Sequence, residues 1–230
     1  MNAVFLAGGR GTRLQSVVSD RPKPLADING KPFLYYLLDY TLKYNLIDKI
    51  ILSIGYKKEM VSDYFGTSFQ GIPIVYSLEE EPLGTGGAIL NSLKYSDSNE
   101  ILVFNGDSFF ELDLNQFVYQ SRQRNRPFSI ALSEMENFDR YGSVDFDENY
   151  IIKFQEKKFM TKGFINTGIY LLEKNIFKNY SLGSVFSVES DFLQNFTKEI
   201  GISYYIQKAF FVDIGIPEDY YKFIDYIKGK

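Results

Sequence analysis

The chain has 230 residues, 45% apolar and 23% charged, with a net charge of −4, the make-up of a globular protein long enough to bury a full core. The acidic balance argues against a general nucleic-acid binder, and no apolar run approaches the roughly 20 residues that cross a membrane. With no cysteine and no histidine, disulfides, thiolate metal sites, thiol nucleophiles and imidazole bases are excluded, which leaves carboxylates, Lys, Arg, hydroxyls, backbone amides and a hard oxygen-bound cation such as Mg²⁺.

The first apolar run is short and lacks a basic prefix, so it does not read as a signal peptide, and the chain reads as cytoplasmic. That run, "AVFL" (3–6), predicts a first strand. "PFLYYLLDYTLKY" puts Pro32 at a helix start and Phe33, Leu34, Leu37, Leu38 and Leu42 at helical spacing. "KIILSI" (49–54) predicts a buried strand, 58–65 a short helix and "IPIVYS" (72–77) another strand. Ala88, Ile89, Leu90 and Leu93 mark the next helix, "EILVF" (100–104) the next strand and 114–124 the helix after it. This alternation predicts an α/β fold with a mostly parallel sheet covered on both faces. From "FSIALSE" (128–134) the texture changes. "YGSVDFDENYIIKFQEK" alternates about an Asp-Glu-Asn turn and predicts an antiparallel hairpin. "GFINTGIYLL" reads as a strand, 187–196 as helical, "ISYYIQ" and "AFFVDIG" as strands, and Pro217 opens a last helix. No linker or repeat interrupts this, which predicts one domain over 1–230 with a front half (1–135) and a back half (136–230).

Three glycines and two arginines crowd into residues 8–13 after the first strand. A dinucleotide fingerprint fails, because the third glycine is missing and "SIGYKK" ends the second strand without an acid. A P-loop fails because no lysine follows the glycines. Two readings remain: a tight turn with solvated arginines, or bare amides around an anion with Arg13 and Lys23 as charges.

Later stretches carry similar alternatives. "NGDS" places Asp107 just past a strand, and "FFVDIG" places Asp213 at the end of another. Each could be a turn residue, but two strand-tip carboxylates in a chain without histidine suit a Mg²⁺ that keeps waters and binds phosphates. "LGTGGAI" is a second glycine turn, whose small residues let a flat base lie against the backbone. The acids 79–81 before it are either a solvated turn or a base reader, since guanine offers two adjacent donors to one carboxylate. Glu156 and Lys157 of "FQEK" and Asn166 of "INTG" fit an exposed charged hairpin or contacts to sugar hydroxyls and phosphate.

Taken together, "LAGGRGTRL", "PKPL", "EEEPLGTGGAI", "NGDS", "RYGSV", "FQEK", "INTGIY" and "FVDIGIPEDY" resemble, in order and over nearly the whole chain, the sugar-phosphate nucleotidylyltransferases. Among these the pattern is similar to the short bacterial guanylyltransferases acting on D-glycero-α-D-manno-heptose 1-phosphate. The resemblance implies a three-layer α/β/α sandwich with a mixed, mostly parallel sheet of the Rossmann-like nucleotide-diphospho-sugar transferase type. It implies transfer of GMP from GTP to a sugar 1-phosphate with release of pyrophosphate, without nucleic-acid or membrane partners, and it leaves homo-oligomerisation open. It assigns the nucleotide to Leu6, Ala7, Gly8, Gly9, Gly11, Thr12, Arg13, Glu79 and Gly84, and the sugar phosphate to Gly142, Glu156, Lys157 and Asn166. It assigns Mg²⁺ to Asp107 and Asp213, and catalytic charge to these two with Arg13 and Lys23. Thr167 and Ser108 depart from the Ala or Gly and the Thr frequent in relatives.

The missing histidine agrees with such chemistry, because a phosphate monoester with a second pKa of about 6 is already an ionised nucleophile at neutral pH. Positioning and charge neutralisation then suffice. Other pairings within the class remain open, with mannose 1-phosphate or other hexose or amino-sugar phosphates and with UTP, dTTP or CTP. A glycosyltransferase would show Asp-x-Asp where this chain has Asn105-Gly106-Asp107, and an inactive sensor would have lost one of these charges.

Overall fold

The computed structural model describes every residue except Arg10, Gln15 and Glu156, and describes the backbone but not the side chain of Thr12. In chain order its elements are β1 (Asn2–Leu6), β2 (Asp27–Ile28), β3 (Lys31–Pro32), α1 (Phe33–Leu42), β4 (Lys49–Ile54), α2 (Lys58–Phe65), β5 (Ser68–Phe69), β6 (Ile72–Leu78), α3 (Gly84–Ser92) and β7 (Glu100–Asn105). The rest are β8 (Ser108–Phe110), α4 (Leu114–Arg124), β9 (Phe128–Phe138), β10 (Val144–Phe146), β11 (Ile151–Phe154), β12 (Met160–Glu173), α5 (Gln194–Ile200), β13 (Ser203–Gln207), β14 (Phe211–Asp213) and α6 (Pro217–Lys228).

Eight strands form one sheet in the order β13-β9-β12-β7-β1-β4-β6-β5. β7, β1, β4 and β6 run parallel at its centre, while β12 enters antiparallel between β7 and β9. The sheet is therefore mixed and mostly parallel, and it draws strands from both halves of the chain. Alternation along β1 shows why both faces are covered. Ala3 and Phe5 join a core with α1 residues such as Leu34 and Leu38, whereas Val4 joins a second core with Ile89 and Leu93. Phe5 stacks on Phe104 of β7 at 4.8 Å between ring centroids, locking two central strands on one face.

The back half departs from simple alternation. β10 and β11 form the expected hairpin, its turn held by Asp147 accepting from the Asn149 and Tyr150 N–H groups. The helix expected over 187–196 instead begins as a wide π-helical turn at Val188–Leu193, capped by Ser187, and continues as α5. "AFFVDIG" yields only the three-residue β14, which pairs with β8 rather than with the central sheet. Among the described residues no helix is long and apolar enough to cross a membrane.

Candidate active site

A cavity of about 720 Å³ opens at the carboxyl ends of β1, β4, β6 and β7, where open α/β sheets bind ligands. Its wall at β1 is backbone. Ala7 N–H donates to Ser53 and Gly106 N–H to Leu6, so the chain after β1 stays clamped between its neighbours. A Cβ on Gly106 would lie 2.5 Å from the Leu6 carbonyl oxygen, so that approach requires glycine. Gly11 has a φ of +62° and lies against the Lys23 stem, whose Cβ would be 2.7 Å from an added Cβ. Gly8 and Gly9 line the cavity, and Arg13 stands exposed on the short turn Thr12–Leu14.

Opposite Gly8 sits Glu79, at the end of β6. Its Oε1 accepts from the Ser53 hydroxyl at 2.8 Å and its Oε2 from the Leu83 N–H at 3.3 Å. Each carboxylate oxygen keeps a second acceptor site, so the group is fixed yet still able to receive two donors. A Cβ on Gly8 would meet Glu79 Oε1 at 2.4 Å, which ties the glycine to the glutamate. Gly84 also lines the cavity, but its neighbourhood differs from the expected bed for a base. The segment 184–186 already fills that bed. Phe186 carbonyl accepts from the Gly86 and Gly87 N–H groups, and an added Cβ on Gly84, Gly86 or Gly87 would lie within 2.5 Å of residue 184 or 186. The small residues of α3 admit another part of the chain first, and only Gly84, Thr85 and Ala88 face the cavity.

The two expected metal carboxylates do meet, although not as tips of one sheet. Asp107 follows β7 in the turn to β8, and Asp213 ends β14. The β8–β14 pairing sets Asp213 opposite Ser108, and Ile214 N–H donates to the Asp107 carbonyl. Buried Lys23 lies between them, its Nζ 2.8 Å from Asp107 Oδ2 and 3.3 Å from Asp213 Oδ1. Burial, then the Asp107 charge, push the Asp213 carboxyl above the usual range, against the pull of Lys23 and Arg140. Arg140 donates to Asp219. A divalent cation fits this arrangement. The ammonium already marks a cation position between two hard oxygen donors, and a Cβ on Gly215 would lie 3.0 Å from Asp213 Oδ1.

Of the sugar-phosphate candidates, strand pairing brings the neighbourhoods of Gly142 and Asn166 together. Ser143, next to Gly142, bridges Ile165, next to Asn166, and Gln155 N–H donates to Ser143. Lys157 is exposed just past β11, and Glu156 lies outside the described residues. Asn166 Nδ2 donates to the Tyr170 hydroxyl at 2.8 Å. Thr167 faces away from this group, its hydroxyl buried and donating to the Ala131 carbonyl. The sequence did not mark Ser53, Tyr56, Lys58, Thr85 or Asn105, of which all but Ser53 line the cavity.

A model of the nucleotidyl transferase family matches residues 2–229. The chain belongs to that family. It is 47% identical to a D-glycero-α-D-manno-heptose 1-phosphate guanylyltransferase of Campylobacter jejuni over 97% of this chain and 99% of that one. It is 44% identical to a protein of the same name from Aneurinibacillus thermoaerophilus, over 96% of each. Its fold matches the crystal structure of HddC from Yersinia pseudotuberculosis with a TM-score of 0.88 and 41% identity, covering 98% of this chain and 99% of that one, and the same protein complexed with GMP-PN matches equally.

Proposed function

We propose that this nucleotidyl transferase moves GMP from GTP to D-glycero-α-D-manno-heptose 1-phosphate in the cytoplasm. Two relatives of near-equal length carry that activity in their names, and a third was crystallised with GMP-PN. The observation that carries the reading is the meeting of Asp107, Asp213 and Lys23 beside a cavity walled by glycine backbone and the held carboxylate of Glu79.

In this reaction an oxygen of the sugar phosphate bonds to the nucleotide α-phosphorus, and the α–β anhydride bond breaks in line, its electron pair leaving on pyrophosphate. Asp107 and Asp213 would hold Mg²⁺, which when bound supplies charge neutralisation at the phosphates. Gly8, Gly9 and Gly11, with the backbone of Leu6, Ala7 and Thr12, form the triphosphate cradle. Arg13 neutralises the leaving pyrophosphate, and Lys23 faces the transferred phosphate. Glu79 accepts the guanine N1–H and amino group, with Gly84 lining the cavity beside the base. Gly142, Glu156, Lys157 and Asn166 hold the sugar phosphate. The ionised nucleophile leaves no proton to remove, which is why a chain without histidine can perform the step.

Incubating the protein with each of four nucleoside triphosphates and a panel of sugar 1-phosphates, with mass spectrometry of the products, tests this. The expected product is GDP-heptose from GTP. Equal or better kcat/KM with mannose 1-phosphate, or with UTP, dTTP or CTP, overturns the substrate assignment.

A further inference from the structure

Tyr170 is fully buried, and its hydroxyl lies at the centre of a polar chain of which the reaction chemistry above uses only Asn166. It receives Asn166 Nδ2 at 2.8 Å and donates to Glu189 Oε1 at 3.2 Å. Glu189 Oε2 accepts from the Thr85 hydroxyl at 2.8 Å and the Ser187 hydroxyl at 3.1 Å, while Thr85 accepts from the Val188 N–H. The wide turn at Val188–Leu193 carries Glu189, and such turns recur at functional sites. On β12 the pairing with β9 slips between Asn166 and Tyr170, with Gly168 at a φ of +75°, a bulge that re-aims side chains.

These contacts have a direction. A carboxylate has no proton to give, so the single Tyr170 proton goes to Glu189. Burial, reinforced by the Glu189 charge, holds that phenol well above its ordinary pKa and therefore neutral. The hydroxyl oxygen is left as an acceptor and can receive only the nitrogen end of the Asn166 amide. The other end agrees, because Asn166 Oδ1 accepts from the Gly168 N–H at 2.9 Å. A flipped amide would set oxygen against oxygen at Tyr170 and nitrogen against N–H at Gly168. Fixed this way, Asn166 keeps, among the described residues, one N–H and one acceptor site without a partner, a donor and an acceptor for the hydroxyls of a sugar ring.

We propose that Tyr170, anchored by Glu189, is a positioning residue that sets the donor–acceptor polarity of Asn166 toward the hydroxyls of the sugar phosphate. The inference rests on the reading of Asn166 as a sugar contact. Tyr170→Phe keeps the ring and removes the hydroxyl. The expected outcome is a shift of the Asn166 side-chain amide signal in ¹⁵N NMR of the substrate-free protein, with faster proton exchange. The KM for the sugar phosphate should rise about threefold to tenfold, the loss of one aligned hydrogen bond, while the KM for GTP stays within about twofold. In an Asn166→Ala background the Tyr170 effect on the sugar KM should vanish. An unchanged amide signal, or an undiminished KM effect in that background, overturns the inference. A wild-type sugar KM in Asn166→Ala alone overturns instead the sugar-contact assignment. Should Tyr170→Phe fail to fold, Glu189→Leu at a half-buried position removes the acceptor of the Tyr170 proton and reads the same amide, and an unmoved signal there counts against the inference equally.

Discussion

Two groups of carboxylates in the molecule are balanced in opposite ways. Asp107 and Asp213 are balanced by a buried ammonium within 3.3 Å of both. Glu189, among the described residues, is balanced by three hydroxyls and no cation. An ammonium is a compact charge with rotatable donors, so it neutralises without imposing an orientation. A chain of hydroxyls carries little charge but fixes which end of each group donates. The first arrangement suits a centre that must meet a changing load of phosphate charge, and the second suits one that must present the same face every time.

The comparison breaks most readily at the charged centre. Asp107→Asn and Asp213→Asn should each reduce pyrophosphate release by about 10²–10³ or more, the loss typical of one charge-stabilising group. Near-normal turnover in either variant sinks the metal assignment. Their stabilities sharpen the point. The Asp213 carboxyl is raised by burial and by Asp107, so its folded pKa lies above its unfolded one. Such an acid contributes stability below the unfolded pKa and loses it as pH rises through the folded value. At neutral pH Asp213→Asn should therefore melt no lower than the parent in metal-free buffer, although it is inactive. Lys23→Ala should lose activity on the same scale with the opposite sign in stability. It leaves two carboxylates facing each other, for about 1–3 kcal/mol, less than the ~3–5 of a fully buried pair because Asp107 is 41% exposed. Equal melting shifts in the two variants would remove the distinction between charge and partner.

A smaller effect is expected at the nucleotide wall. In Gly8→Ala the new methyl meets Glu79 Oε1, and the carboxylate must leave its seat on Ser53. GTP should bind roughly tenfold more weakly, from a displaced charge-assisted hydrogen bond, with reduced preference over UTP. Weaker binding with unchanged base preference would assign Gly8 to the phosphates and release Glu79 from reading the base.

What was legible in the sequence follows from how local each signal is. β4 and α2 fall at 49–54 and 58–65 as the sequence indicates, because β4 is a short apolar run buried on both faces and α2 buries Val61 and Phe65 at helical spacing. The β8–β14 ribbon was not legible. Two strands of three residues, about a hundred positions apart, carry no period, and only their pairing sets Asp213 beside Asp107. The pair Gly86 and Gly87 read as room for a base, and nothing in "GSVFS" announces that Phe186 takes that room. Tyr170 and Glu189 hide for a related reason. A tyrosine inside "GIYLL" looks like core and a glutamate inside "SVESDF" like a solvated helix face, so their meeting is visible only once β12 and the turn at Val188–Leu193 are packed together.

The smallest expected effect separates neighbours on β12. Thr167 stands one residue from the sugar candidate Asn166, so its hydroxyl invites a role in sugar choice. The structure turns it inward, 1% exposed, donating at 2.8 Å to the Ala131 carbonyl. Thr167→Ala removes that donor and a methyl group, for about 1–2 kcal/mol together. In a chain of this length that lowers the melting temperature by roughly 2–8 °C. The Asn166 seat is built from Tyr170 and the Gly168 N–H, neither of which Thr167 touches through its hydroxyl. The KM for the sugar phosphate should therefore hold while stability falls, the reverse of Tyr170→Phe. A change in sugar preference without a change in melting would place Thr167 in the sugar pocket and extend the directional network by one hydroxyl.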